Sequence, residues 1–341
     1  MVAVEPQIST VNERNGTTLI LLGTQAGPPV EKSRAGISSA LVVDGATYIV
    51  DCGRSALTQF VNADMRLDSV RGLFITHLHH DHVADYYNFF LLGGIGPNSR
   101  GDILSGPIPV YGPGSAGALP PTLGAVEAPT VAPESPTPGL VELTDACHSA
   151  YAYSSNLFLR DSQIADVRAL MEVLEIRIPD IGAHPIDATA PTMAPFKIME
   201  DDRVRVTATL VPHGRCFPSF AYRFDTDYGA ITFSGDTTAS DNLVVLSRKS
   251  EILVHEAINV HGAPLSPERR DQMLRLHTPV QQVGLVASRA EVGHLVLSHL
   301  IDFAKSPIDD NEWLEWVQAV YNGKVTVGAD LQRIALSSGG R

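Results

Sequence analysis

The residues best suited to chemistry lie in one stretch, Thr76-His77-Leu78-His79-His80-Asp81-His82. Its spacing, H-x-H-x-D-H, sets imidazoles at 77, 79 and 82 and a carboxylate at 81. Neutral imidazole and carboxylate are good ligands for zinc and similar divalent metals. Alternate side chains of an extended segment point the same way. His77 and His79 can therefore converge on one point, and Asp81 with His82, at a helix start, on a neighbouring one. The plain alternative is a solvated loop rich in histidine. Four fixed positions rarely match by accident, so the metal reading is preferred.

The flanking elements suit that role. Leu73-Phe74-Ile75 reads as a buried strand, and Val83 to Leu92 as a helix stopped by Gly93-Gly94. Three later residues have matching chemistry in a matching context: His213, Asp236 and His299 each follow the end of a predicted strand. In layered sheets, strand ends on one edge are where ligands converge.

The rest of the chain reads as strands followed by helices. Thr17–Leu22, Ser38–Val43 and Thr47–Val50 are strands, the last two joined around Asp44-Gly45. Val204–Val211, Ser219–Phe224, Ala230–Phe233, Glu251–Val254 and His294–Leu297 follow, with helices over Pro279–Ala290 and Asp310–Tyr321. Asp161–Leu174 also shows helical spacing, through Ile164, Val167, Leu170, Met171 and Leu174. Periodicity supports a layered α/β or α+β fold. From Pro113 to Pro138 the composition shifts to Pro, Ala, Gly and Thr. Residues 113–202 are read as an insertion, serving as a lid or a dimer contact, within a single domain spanning 1–341. Residues 1–15 and 337–341 read as loosely held ends.

The motifs together resemble the metallo-β-lactamase-fold hydrolases, and their order along the chain resembles the ribonuclease Z-like branch. The resemblance implies an α/β, αββα four-layer sandwich. It also implies two divalent metals, zinc by ligand type, with manganese or nickel using the same set. His213 would join His77 and His79 on one metal, Asp81, His82 and His299 would hold the second, and Asp236 would bridge both. Asp51, in Asp51-Cys52-Gly53, and Thr76 would support the ligands from outside. Paired dications lower the pKa of a bridging water, and the resulting hydroxide attacks a carbonyl carbon or phosphorus. His277 matches the histidine of a His-Ser-Thr motif, although here the next residues are Thr278-Pro279. Glu256 matches its acidic partner, so Asp81, His277 and Glu256 are the catalytic candidates. The alternative is that Thr278 caps the next helix, with Pro279 in its first turn and His277 packed beside it.

Composition limits the substrate. Lys plus Arg is 25, Asp plus Glu is 38 and net charge is −13. A protein that grips a phosphate backbone usually carries a basic footprint. The tRNA 3′-processing enzymes of the branch carry a long arm between the positions of His213 and Asp236, which here are 23 residues apart. Their Ser-Arg-Tyr after the last ligand is replaced by Leu300-Ile301-Asp302. The expectation is therefore a small-molecule hydrolase acting on an ester, lactone, β-lactam or phosphodiester, with no nucleic-acid partner. A tRNA 3′-processing endonuclease and a redox or binding member of the fold remain the alternatives. Three scattered cysteines argue against a disulfide framework. No signal peptide or membrane segment is read, so a cytoplasmic protein is expected, with a homodimer contact plausible through the insertion.

Overall fold

The computed structural model describes residues 16–123, 128–161 and 164–336. The ends read above as loosely held, 1–15 and 337–341, lie outside the described residues. The first half of the chain runs β1 (Thr17–Gly23), β2 (Ser38–Val43), β3 (Ala46–Val50), α1 (Ala56–Asn62), β4 (Val70–Phe74), α2 (His80–Val83), α3 (Tyr86–Gly93), β5 (Ile108–Pro113), α4 (Leu140–Ala150), α5 (Ala152–Asp161) and β6 (Met171–Ile176). The second runs β7 (Phe196–Glu200), β8 (Val204–Leu210), β9 (Phe220–Thr226), β10 (Gly229–Phe233), α6 (Asp241–Leu246), β11 (Ile252–Asn259), α7 (Pro267–Leu276), α8 (Val280–Arg289), β12 (His294–Asp302), α9 (Asp310–Gln318), β13 (Lys324–Val327) and β14 (Gln332–Leu336).

These strands form two seven-stranded sheets, ordered β14-β1-β2-β3-β4-β5-β6 and β13-β12-β11-β10-β9-β8-β7. Each sheet is half antiparallel and half parallel. Hairpin-linked strands pair antiparallel, as in β1–β2–β3 and β8–β9–β10. Strands reached through helical crossovers pair in parallel, as in β3–β4–β5 and β10–β11–β12.

Alternation along single strands shows the layering. In β1, Leu19 and Leu21 face the space between the sheets with Tyr48, Phe74, Val206 and Phe224, while Ile20 and Leu22 face Phe60 and Phe89 of the outer helices. On the second sheet, Val254 and Val296 point inward, while Leu253, Leu295 and Leu297 pack outward with Val283 and Trp313. Strands covered on both faces must be apolar on both, which is why Thr17–Gly23 reads as a solid run rather than an alternating one. The result is the αββα sandwich.

Three local expectations change. Met171–Ile176 is not the end of a helix: residues Val167–Leu170 form a 3-10 turn, and β6 pairs in parallel with β5. The apolar spacing there serves packing from both a turn and an edge strand, which a single helical period cannot distinguish. The helices between 113 and 202 lie earlier, as α4 and α5. That interval also supplies β6 and β7, the edge strands of the two sheets. Finally, the helix after the histidine motif is split into α2 and α3, with Asp85 between them.

Candidate metal centre

The loops after β4, β8 and β10 and the β-bulge in β12 open on one edge of the sandwich and bring the histidine motif together with His213, Asp236 and His299. Two groups of potential ligands result: His77, His79, His213 and Asp236, and Asp81, His82, Asp236 and His299. Within each group the donor atoms all lie within 4.8 Å of one another. Asp236 belongs to both. Its Oδ2 lies 3.8 Å from His77 Nε2, 3.7 Å from His213 Nε2 and 3.3 Å from His299 Nε2, and its Oδ1 is 3.4 Å from His82 Nε2.

Neighbours outside the cluster fix which nitrogen each ring turns inward. His82 Nδ1 donates to Asp51 Oδ2 at 2.8 Å, and His213 Nδ1 donates to the Leu276 carbonyl at 2.7 Å. Thr76 Oγ1 donates to Asp51 and accepts from His77 Nδ1 at 3.1 Å. With those protons placed outward, the Nε2 atoms of His77 and His213 carry lone pairs, yet they stand 3.0 and 3.1 Å from His79 Nδ1. Three nitrogens in such contact are stable around a shared cation, and the chain's donor set fits one. Asp81 is held by the Gly27 amide, which donates to Oδ2 at 2.9 Å. A Cβ on Gly27 would sit 2.1 Å from that of Asp81, so glycine is required. Gly235, before Asp236, has φ +56, and a Cβ there would meet the Phe220 carbonyl at 2.5 Å.

The electrostatics follow from burial. Desolvation keeps His77, His79 and His213 neutral, lowering the last to about 3. Burial works against charge on Asp236 and Asp81 too, but His299 and His82 outweigh it and hold both below the usual carboxylate range. His82 is also opposed by burial, yet Asp236 and Asp51 hold its pKa well above 6.5.

His277, just past α7, turns Nδ1 to Glu256 Oε1 at 3.1 Å. The same oxygen accepts the Thr237 and Thr278 amides. Burial disfavours the imidazolium, but the Glu256 charge and hydrogen bond, with Asp236 and Asp81 beyond, raise His277 to about 9. Both residues border the centre: His277 Nδ1 is 3.9 Å from Asp236. A cavity of about 360 Å³ opens here, floored by His79, Asp81, His213 and Asp236 and walled by Arg269 and Met273 of α7 and by Phe303.

The structure gathers every site residue expected from the sequence. His148 of α4 pairs with Tyr87 of α3, and His184 lies in an exposed turn; neither joins the cluster. The α7 wall was missed, although Ser266-Pro267-Glu268 is a helix-start signature and Ser266 does cap the Arg269 amide. Gly27 gave no signal, since its role depends on a contact 54 residues away.

This architecture is shared with known proteins. The chain is 26% identical to ribonuclease Z of Mycobacterium bovis (strain BCG / Pasteur 1173P2) over 329 residues, covering 93% of this chain and 97% of that one. Human tRNase Z, short form, superposes with a TM-score of 0.61 at 20% identity, covering 94% of this chain and 99% of the other. The metallo-β-lactamase-fold protein YhfI from Bacillus subtilis gives 0.57 at 15%, covering 94% and 100%. A family model described as anti-Pycsar protein Apyc1 matches residues 17–88. The chain thus has the metallo-β-lactamase fold. Within that fold its resemblance runs to the ribonuclease Z branch.

One expectation is overturned. The net charge of −13 and the short interval before Asp236 argued against a nucleic-acid partner. Similarity to ribonuclease Z along nearly the full length of both chains points to one instead. Net charge averages over a whole surface, whereas binding needs only one favourable face. No helix among the described residues is long and apolar enough to cross a membrane.

Proposed function

We propose that the protein is a two-metal phosphodiesterase that cleaves RNA near a 3′ end. The observation carrying this reading is the placement of Asp236 between two ligand groups, with the His277–Glu256 pair at their rim. Similarity to ribonuclease Z supports the substrate class. This departs from the small-molecule reading of the sequence.

In this reading His77, His79 and His213 would hold one divalent cation, Asp81, His82 and His299 would hold the other, and Asp236 would serve both. Zinc suits the imidazole-rich set. When bound, the pair would polarise the phosphoryl oxygens and lower the pKa of a water. The protein's own groups do the rest. Asp51 and Thr76 lock the rings in place. Asp81, held by the Gly27 amide, keeps a carboxylate beside the cleft. His277, charged by its pairing with Glu256, faces the departing ribose oxygen and protonates it. An alkoxide is a poor leaving group, so a phosphodiester makes the greatest demand on such an acid. Arg269 on the cavity wall and exposed Arg275 in the same helix supply positive charge for flanking phosphates. A cavity of 360 Å³ is at the small end for ligand sites, about 300–1,000 Å³. It would hold the scissile unit and leave the remaining RNA on the rim.

A small phosphodiester is the second reading, favoured by the interval between His213 and Asp236, which is filled by the β9–β10 hairpin. The test is hydrolysis by metal-loaded protein and by Asp236→Ala. The panel is a 3′-extended precursor tRNA, bis(4-nitrophenyl) phosphate, an aryl ester, a lactone and a β-lactam. Cleavage of the precursor, lost in the variant, supports the proposal. Cleavage of the nitrophenyl diester alone selects the second reading. Hydrolysis of carbonyl substrates only would overturn both.

A further inference from the structure

The ligand histidines differ in how their second nitrogen is held. Three have a protein partner: His77 at Thr76, His82 at Asp51 and His213 at the Leu276 carbonyl. His79 is partly exposed. His299 is the exception, because its Nδ1 is buried without a protein acceptor while its Nε2 faces Asp81 and Asp236. A metal-bound histidine almost always donates this proton to something.

The backbone explains where that nitrogen points. Glu256 pairs with Ser298 across β11 and β12, but the next pair is Ala257 with Leu300. His299 is therefore an extra residue in β12, with φ +49. Such a bulge re-aims side chains beside active sites. It turns Ser298 and His299 toward the same space, opposite Glu256. There the Ser298 hydroxyl and Glu256 Oε2 are also buried without partners. All three residues line a cavity of about 30 Å³ that also touches His82 and Asp236 of the metal centre. One water needs roughly 10–15 Å³ of such space and two to four polar neighbours. One ring nitrogen of His299 and one carboxylate oxygen of Glu256 lie within 4.8 Å of each other.

We propose that this cavity is a built water site, in which one fixed water accepts from His299 Nδ1 and donates to Glu256, steadied by the Ser298 hydroxyl. Glu256 then serves two histidines, His277 directly and His299 through the water. Ser298 becomes a positioning residue for the second metal. The inference rests on the metal-site reading and not on the choice of substrate.

The test uses the full chain loaded with zinc. Ser298→Val fills the cavity with methyl groups and expels the water, whereas Ser298→Ala leaves room for it. Chelator competition should show two zinc ions in the wild type and Ser298→Ala. In Ser298→Val, affinity for one ion should fall about 10- to 100-fold while the other is retained. A high-resolution crystal structure of the zinc-loaded wild type should show a water within hydrogen-bond distance of His299 Nδ1, Glu256 Oε2 and Ser298 Oγ. Unchanged affinity for both ions in Ser298→Val, or an empty or cation-filled cavity in the crystal, overturns the proposal. A wild type that binds no zinc refutes the metal-site reading itself.

Discussion

Removing the imidazole of His277 offers a sharp test of the site's chemistry, because its effect should depend on the leaving group. Glu256 Oε1 lies 3.1 Å from His277 Nδ1, so the proton on that nitrogen is committed, and Nε2 is the one free to act. A positioned general acid contributes about 10²–10⁴ in rate, or roughly 2.7–5.4 kcal/mol at about 1.36 kcal/mol per decade. His277→Ala should lose that much on RNA, where a ribose alkoxide departs. On bis(4-nitrophenyl) phosphate it should lose less than about tenfold, since nitrophenolate leaves without a proton. Glu256→Gln should keep the ring but remove the charge that raises it to about 9. Activity on RNA needs the protonated ring, so it falls as pH rises through that pKa. Bound dications push this limb lower by like-charge repulsion, and Glu256→Gln should push it lower still. The assay is single-turnover cleavage across pH 6–10 at matched zinc content. Equal losses on both substrates, or an unmoved alkaline limb in Glu256→Gln, would refute the reasoning.

Zinc loading of the chelated protein at pH 7 should release at least one proton, because Asp236 and Asp51 hold the His82 pKa well above 6.5 and the ring must give up its proton to bind. Calorimetry in buffers of different ionisation enthalpy measures it, and no proton release would count against His82 as a ligand. Gly235→Ala should bind zinc poorly, since its Cβ would strike the Phe220 carbonyl and displace Asp236; chelator competition reports this. Phe74→Ala empties the contact between the sheets, where its ring packs on Tyr111, Tyr222 and Phe224. It should cost about 3–5 kcal/mol in urea unfolding. His294, buried and beside Lys324, has its pKa lowered to about 4. The unfolded state binds the proton more readily, so this site's contribution is complete above about 6.5 and is lost as pH falls toward 4. His294→Gln should flatten the pH dependence of the urea midpoint in that window, and an unchanged slope would show that His294 does not cause it.

How much was legible in the sequence depends on the range of the contacts involved. The H-x-H-x-D-H stretch is local, so its spacing alone marked a candidate metal centre. His213 and Asp236 were recognisable because each follows a strand; His299 was expected after one too, but it sits inside β12, at the bulge. The solid apolar run of β1 likewise reveals a strand covered on both faces. What could not be read depends on which segments meet. The turn and edge strand at Val167–Ile176 imitate a helical period because their neighbours, not their own spacing, decide the backbone. The charge total could not report where charge lies, and so misjudged the partner. The bulge at His299 exists only in the pairing of β11 with β12, and it alone turns Ser298 toward the metal ligand's free nitrogen. Ligand identity is a property of residue type and short spacing, which sequence carries directly. Ring orientation, proton placement and the buried space beside the centre arise from contacts between distant segments, and only the folded chain sets them.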